Sequence, residues 1–307
     1  MFKWPGTPVP SASEPELADY AELVCWQKNL MSVTALSKQL GRLDENDYSD
    51  GVPEEDETDE VVKGAYLEIE RRIEACRGGY PFDIARQGNT LRPSQDTENR
   101  RHTIYKYLLL ATRLNMKSNR VHGGIDGTLL FEKLAAEAAK EYFGARAEKF
   151  VFGTAAGSKK FSGKIDDLCK QMKEGYRFYN HSDARPNVKD DKLDIVVWKS
   201  FTDGLQGKLI AFGQCKTGTR YKDKLPHLQP STFCNKWLKT QPVVPPVRMF
   251  LIAEALSRVG WYNVACEAGL LFDRCRIVDF CDDISSDVWK QVTNWTKAAA
   301  AATGLPC

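Results

Sequence analysis

From residue 119 onward, short runs of β-formers alternate with helical segments, and this alternation limits the possible folds more than any other feature of the chain. The predicted strands are EKFVFG (148–153), LDIVVW (193–198), LIAFGQCK (209–216), VRMFLIAE (247–254) and RCRIVDF (274–280). Between and around them lie apolar stripes at helical spacing: TLLFEKLAAEAAKEYFG, FSGKIDDLCKQMKEG, STFCNKWLKT, LSRVGWYNVACEAG and the segment 285–302. The expected fold class is α/β, a mixed central sheet flanked by helices over residues 119–307.

Residues 1–118 read as a separate helical region. SEPELADYAELVCWQKNL places a serine before acids and then apolar residues at helical spacing. SVTALSKQLG, DEVVKGAYLEIERRIEACRGG and SQDTENRRHTIYKYLLLATRLNM follow as three further helices. Residues 44–60 hold ten acidic residues and no Lys or Arg, and are expected to form a solvated acidic loop.

That tract hides the charge of the remainder. Net charge is +2, yet outside 44–60 there are 43 basic against 31 acidic residues. Between Gly204 and Ala253 eight basic residues face only Asp223. Such a density suits a polyanionic partner. The nine cysteines are odd in number and form no C-x-x-C pair, so they read as reduced thiols and not as a zinc site. The four histidines stand in no metal-binding spacing, which argues against a histidine-based hydrolase. No apolar leader follows a basic start and no run reaches the length of a membrane span, so a cytoplasmic protein with no membrane partner is expected.

Two polar positions interrupt the apolar strands. Asp194 opens LDIVVW, while Gln214 and Lys216 share one face of LIAFGQCK, because side chains alternate along a strand. Asp194 and Gln214 offer hard oxygen ligands for Mg2+, with Mn2+ as a substitute, and Lys216 stands beside them to orient a water or stabilise negative charge. That set fits phosphodiester hydrolysis.

This arrangement resembles the PD-(D/E)XK nuclease superfamily, whose core carries an acidic helix, a strand with Asp and a strand with (D/E/Q)-x-K. It is most similar to the Mrr-like restriction endonuclease branch, whose third element often reads Q-x-K, as in GQCKTG here. That branch opens with G-x-x-F-E, and this chain has GTLLFE, with one extra residue between Gly127 and Phe131. The resemblance implies Glu132 as a third metal ligand, with Glu137 or Glu141 as substitutes, and small neighbours at Ala135, Ala136 and Ala139 that let the helix approach the sheet. It implies a restriction-endonuclease-like fold and a magnesium-dependent endonuclease acting on DNA in restriction or anti-phage defence. A regulatory partner at the N-terminal region and a homodimer or larger assembly are further implications.

Two features depart from the family pattern. About forty residues separate EKFVFG from Asp194, and Gln214 stands where an acid is more usual. Two rivals share the motifs: an inactive nucleic-acid-binding or scaffold protein with this fold, and a nuclease acting on RNA. The candidate backbone contacts are Lys159 and Lys160, in the glycine-containing loop FGTAAGSKK, and Arg220, Lys222 and Lys224. Tyr176, Phe178 and Tyr179 lie near Arg177 and Arg185, a mix able to stack on bases, although a buried edge is the expected role.

Overall fold

The computed structural model describes residues 1–9, 11–44, 55–85, 88–153, 159–181 and 191–306. The first helix, α1 (Glu14–Lys28), starts after Ser13 with Glu14 and Glu16 in its first turn, where carboxylates favour the helix dipole. It ends at Asn29 in the left-handed conformation. Twelve of its residues are buried, Glu16, Asp19 and Glu22 among them. A short strand β1 (Met31–Ser32) leads into α2 (Val33–Asp44) and then α3 (Glu55–Ala75). The acidic tract expected as a loop is therefore helical at both ends, while residues 45–54 lie outside the described residues. Two more strands, β2 (Phe82–Ile84) and β3 (Thr90–Pro93), complete a small antiparallel sheet in the order β1-β3-β2. Helix α4 (Arg100–Arg113) follows, capped by the Asn99 side chain, which accepts from Arg101 N at 3.1 Å.

The second part opens with a two-stranded turn, β4 (Val121–His122) and β5 (Ile125–Asp126), whose Asp126 caps α5 (Gly127–Phe143). Then come β6 (Ala147–Val151), α6 (Phe161–Met172), β7 (Ile195–Lys199), β8 (Leu209–Lys216), α7 (Pro230–Trp237), β9 (Val247–Ile252), α8 (Trp261–Ala268), β10 (Leu270–Phe272), α9 (Arg274–Asp279) and α10 (Ser286–Ala302). The five strands order as β10-β9-β8-β7-β6. The pairs β6-β7 and β7-β8 are antiparallel, whereas β8-β9 and β9-β10 are parallel. The parallel pairs need crossovers, which α7 and α8 supply.

Helices cover both faces, so the central strands are apolar on both sides. Ile195, Val197, Ala211, Met249 and Leu251 face a cluster built with α5, α4 and α10. Val196, Trp198, Ile210 and Phe212 face a second cluster under α6 and α7. Each fully buried Val, Ile, Leu, Met or Phe side chain among them contributes about 1.5–3 kcal/mol over its exposed state. The first cluster also contains Leu17, Leu23, Ile69 and Tyr105 from the helical region, so one core runs across residue 118.

The expectation that RCRIVDF is a strand is corrected. Those residues form α9, capped by Asp273, which accepts from Arg276 N at 3.1 Å, and the last strand is LLF just before them. The cap decides the matter: a short apolar run fits either period, and an Asp at the N-cap position gives the helix its first hydrogen bond. The eight cysteines among the described residues are free, and seven are buried. Among the described residues no helix is long and apolar enough to cross a membrane.

Candidate functional site

Asp194 precedes β7 by one residue and is tied down on three sides. Its N–H donates to Gly213 O (2.9 Å), its carbonyl accepts from Phe152 N (2.7 Å) and Gly153 N (2.9 Å), and its Oδ2 accepts from Cys215 N (2.7 Å). Extending the antiparallel register from Ile195 opposite Gly213 sets Asp194 opposite Gln214. Lys216 is then the diagonal neighbour, and its Nζ lies 3.8 Å from Asp194 Oδ2.

Glu132 comes from the helix. Asp126 caps α5 by accepting from Thr128 N and Leu129 N, and Gly127 lies so close to Trp295 that a Cβ there would be 2.7 Å from the indole. Ala135, Ala136 and Ala139 are fully buried, which lets the α5 backbone approach the sheet. The Glu132 carboxylate packs on Gly153, where an added Cβ would lie 2.5 Å from Oε2. Since Gly153 N–H binds the Asp194 carbonyl, the two acidic residues flank one glycine. Glu132, Asp194 and Lys216 line one cavity of about 300 Å³, together with Thr128, Cys215 and Thr217. Burial, and then the charges of Asp194 and Glu132, push the Cys215 thiol well above its ordinary range, so it is a poor nucleophile.

Gln214 is placed differently. It is buried and does not line the cavity, and its Oε1 has no hydrogen-bond partner among the described residues. The acidic donors at the cavity are thus two carboxylates. Among the described residues no group of three or more His, Cys, Asp and Glu side chains has metal-holding geometry. Two carboxylates with room for water suit Mg2+, which keeps several waters and takes one or two protein carboxylates. The Gln214 oxygen, a hard donor on the same strand as Lys216, is not brought to that cavity. The alternatives on α5 are engaged elsewhere: Glu137 pairs with Lys149 at 2.7 Å, and Glu141 accepts from Asp283 N at 3.2 Å.

Arg220, Lys222 and Lys224 are exposed on the segment that leaves β8 past Lys216, with Tyr221 buried between them as an anchor. Lys159 and Lys160 are exposed at the start of α6, where Lys159 pairs with Asp167. Residues 154–158 of that loop, and Arg185, lie outside the described residues. The aromatic trio divides: Phe178 packs on Trp237 with ring centroids 6.1 Å apart, whereas Tyr176 is 71% and Tyr179 43% exposed.

Sequence reasoning missed a buried ionic network behind the site. Asp19 receives Arg72 Nη1 (2.7 Å), Arg113 Nε (2.7 Å) and Arg274 Nη1 and Nη2 (2.8 and 3.0 Å). Glu22 accepts from Arg72, Tyr80 and Tyr105 at 2.7–2.8 Å. Burial alone would raise the Asp19 carboxyl, but Arg274, Arg113 and Arg72 outweigh it and hold the group well below the usual carboxylate range. Arg274 Nε also donates to Ala253 O (3.0 Å), and Ala253 N donates to Lys216 O (3.1 Å), so the network backs the strand end that carries Lys216. Next to it, burial raises the Glu254 carboxyl to about 7. One signal was available in the sequence: acids three apart at 16, 19 and 22 within the otherwise apolar stretch from Pro15 to Trp26.

No protein-family model matches the chain, and neither a curated protein nor a solved structure does.

Proposed function

We propose that the protein is a magnesium-dependent endonuclease hydrolysing DNA phosphodiester bonds. The observation that carries the reading is the convergence of Glu132, Asp194 and Lys216, from a helix and two strands, on one cavity. Glu132 and Asp194 would hold Mg2+, and the Gln214 oxygen could join them only if its side chain turned into the cavity; the ion would neutralise phosphate oxygens and acidify a bound water. Asp194 is positioned for this by the Cys215 N–H, which fixes Oδ2, and by Lys216, which balances its charge. The Lys216 ammonium, about one third exposed, can reach solvent in the cavity and meet the negative charge that builds on phosphorus oxygens. Arg220, Lys222 and Lys224 supply backbone contacts beyond it.

The setting that accompanies this reading is restriction or anti-phage defence in the cytoplasm, on the resemblance to Mrr-like enzymes. One site cuts one strand, so double-strand breaks would need a second copy or two successive nicks. A second reading, a binding module without hydrolysis, is favoured by one observation: Gln214 brings no charge and does not line the cavity.

Incubating supercoiled plasmid and a matched RNA with wild type, Asp194→Ala and Lys216→Ala, with Mg2+ or with chelator, tests both. Nicking of DNA by the wild type alone, lost with chelator, is the expected result. Activity that persists in Lys216→Ala refutes the assignment of roles, and cleavage of RNA alone redirects the substrate. Plasmid binding without cleavage by a folded wild type favours the binding module.

A further inference from the structure

Residues 177–181 run antiparallel to 236–239 as a short ribbon outside the main sheet. Phe178 bridges Leu238, Tyr179 N donates to Trp237 O (3.0 Å), His181 N to Lys236 O (3.1 Å) and Lys239 N to Arg177 O (2.9 Å). Phe178 and Trp237 turn inward and stack on each other, and the Phe178 N–H is held by Asp166 Oδ1 at 2.8 Å. The ribbon is therefore rigid enough to present side chains.

What it presents is two exposed rings, each beside a cation. Lys239 Nζ lies 4.4 Å from the Tyr179 ring centroid, and the Arg177 guanidinium 5.6 Å from that of Tyr176. His181 stacks at a tilt on Tyr179, with centroids 4.5 Å apart. Among the described residues the nearby carboxylates are engaged: Asp166 accepts from the Phe178 N–H, and Asp191 from Lys236 and from Trp237 Nε1. Tyr176 has φ +66°, a backbone region that a bulky residue occupies at a cost. With 71% of its surface in water it gains little from the core in return. Folding does not account for a large ring held out in a strained conformation, and such outliers point toward binding.

We propose that this ribbon is a stacking platform for unpaired bases of a single-stranded nucleic acid. Exposed cation–π pairs are weak, so Arg177 and Lys239 can swing from the rings to phosphates while bases take the ring faces. The platform reaches the candidate site through α6: Lys164 Nζ donates to Phe152 O (3.0 Å) and Gly153 O (2.9 Å) beside Glu132, and Asp166, two residues on, holds Phe178. The proposal extends the nuclease reading to the form of its substrate, a strand with bases exposed.

The test measures binding in chelator, where no hydrolysis occurs. Fluorescence anisotropy with labelled oligothymidylate and oligouridylate of about 12 nucleotides, and with an abasic strand of the same length, compares wild type with Tyr176→Ala/Tyr179→Ala. The variant should bind the base-bearing strands at least about tenfold more weakly and the abasic strand as the wild type does, with an unchanged melting curve. Equal affinity of variant and wild type for the base-bearing strands overturns the platform, as does an equal loss on the abasic strand. Hydrolysis of bis(p-nitrophenyl) phosphate with Mg2+, which needs no base contact, reports on the nuclease reading separately: a base-dependent loss with no hydrolysis keeps the platform and removes the nuclease.

Discussion

Replacing Glu254 by glutamine should change the stability of the protein in a pH-dependent way. Glu254 follows β9, is 8% exposed, and its Oε2 has no hydrogen-bond partner among the described residues. Burial raises its carboxyl from the ordinary 4.5 to about 7, with Arg113 pulling the other way and Asp19 adding to the rise. A carboxyl raised on folding holds its proton more tightly in the folded chain. Its contribution is fully present below about 4.5 and is lost as pH rises through about 7. With about 1.4 kcal/mol per pKa unit, the loss between pH 5 and pH 8 is about 2.5 kcal/mol. Glutamine keeps the shape of the neutral acid and cannot ionise. The stability of Glu254→Gln relative to wild type, from urea denaturation, should therefore rise by about 2.5 kcal/mol from pH 5 to pH 8. A difference that stays constant over that interval would show that Glu254 is ionised in the folded protein at both ends, and would refute the reasoning.

Asp19→Ala should be costly, because it leaves three buried guanidinium groups facing one carboxylate fewer: about 3–5 kcal/mol, or about 5–8 °C in melting temperature for a chain of this size. Calorimetry showing a drop below about 1 °C would mean that the arginines find other partners. Gly153→Ala puts a methyl group 2.5 Å from Glu132 Oε2 and should move that carboxylate out of place. Plasmid cleavage should fall about 100-fold while the melting temperature changes little, and unimpaired cleavage would detach Glu132 from the reaction.

The parts of the fold legible in the sequence were those with long, one-sided patterns. LDIVVW and LIAFGQCK are strands because β-branched and aromatic residues fill both faces of a covered sheet, and α5 shows its close face through Ala135, Ala136 and Ala139. The strands of the small N-terminal sheet have two to four residues, too few to show any period. The α9 segment was misread because a short run with Ile277 and Val278 buried suits either structure, and only Asp273 tips it. At the candidate site, the spacing of Gln214 and Lys216 gave the shared face, and the register then set Asp194 opposite. Burial separated the two partners: Lys216 sits where the strand ends at solvent, whereas Gln214, two residues earlier, is covered. The ionic network escaped notice because its decisive pairs lie far apart in sequence, and a lone Arg274 says nothing about which acid it will meet.

Asp19 and Arg274 are 255 residues apart in the chain. At ribosomal speeds of about 5–20 residues per second, Arg274 is made about 10–50 s after Asp19. Throughout that interval the helix bearing Asp19 and Glu22 lacks one of its counter-charges, and Asp19 has only Arg72 and Arg113 to satisfy it. Synthesis thus imposes an order in time: the helical region can gather early, but its final dehydration waits for α9, and the strand end that carries Lys216 is braced at that same late moment.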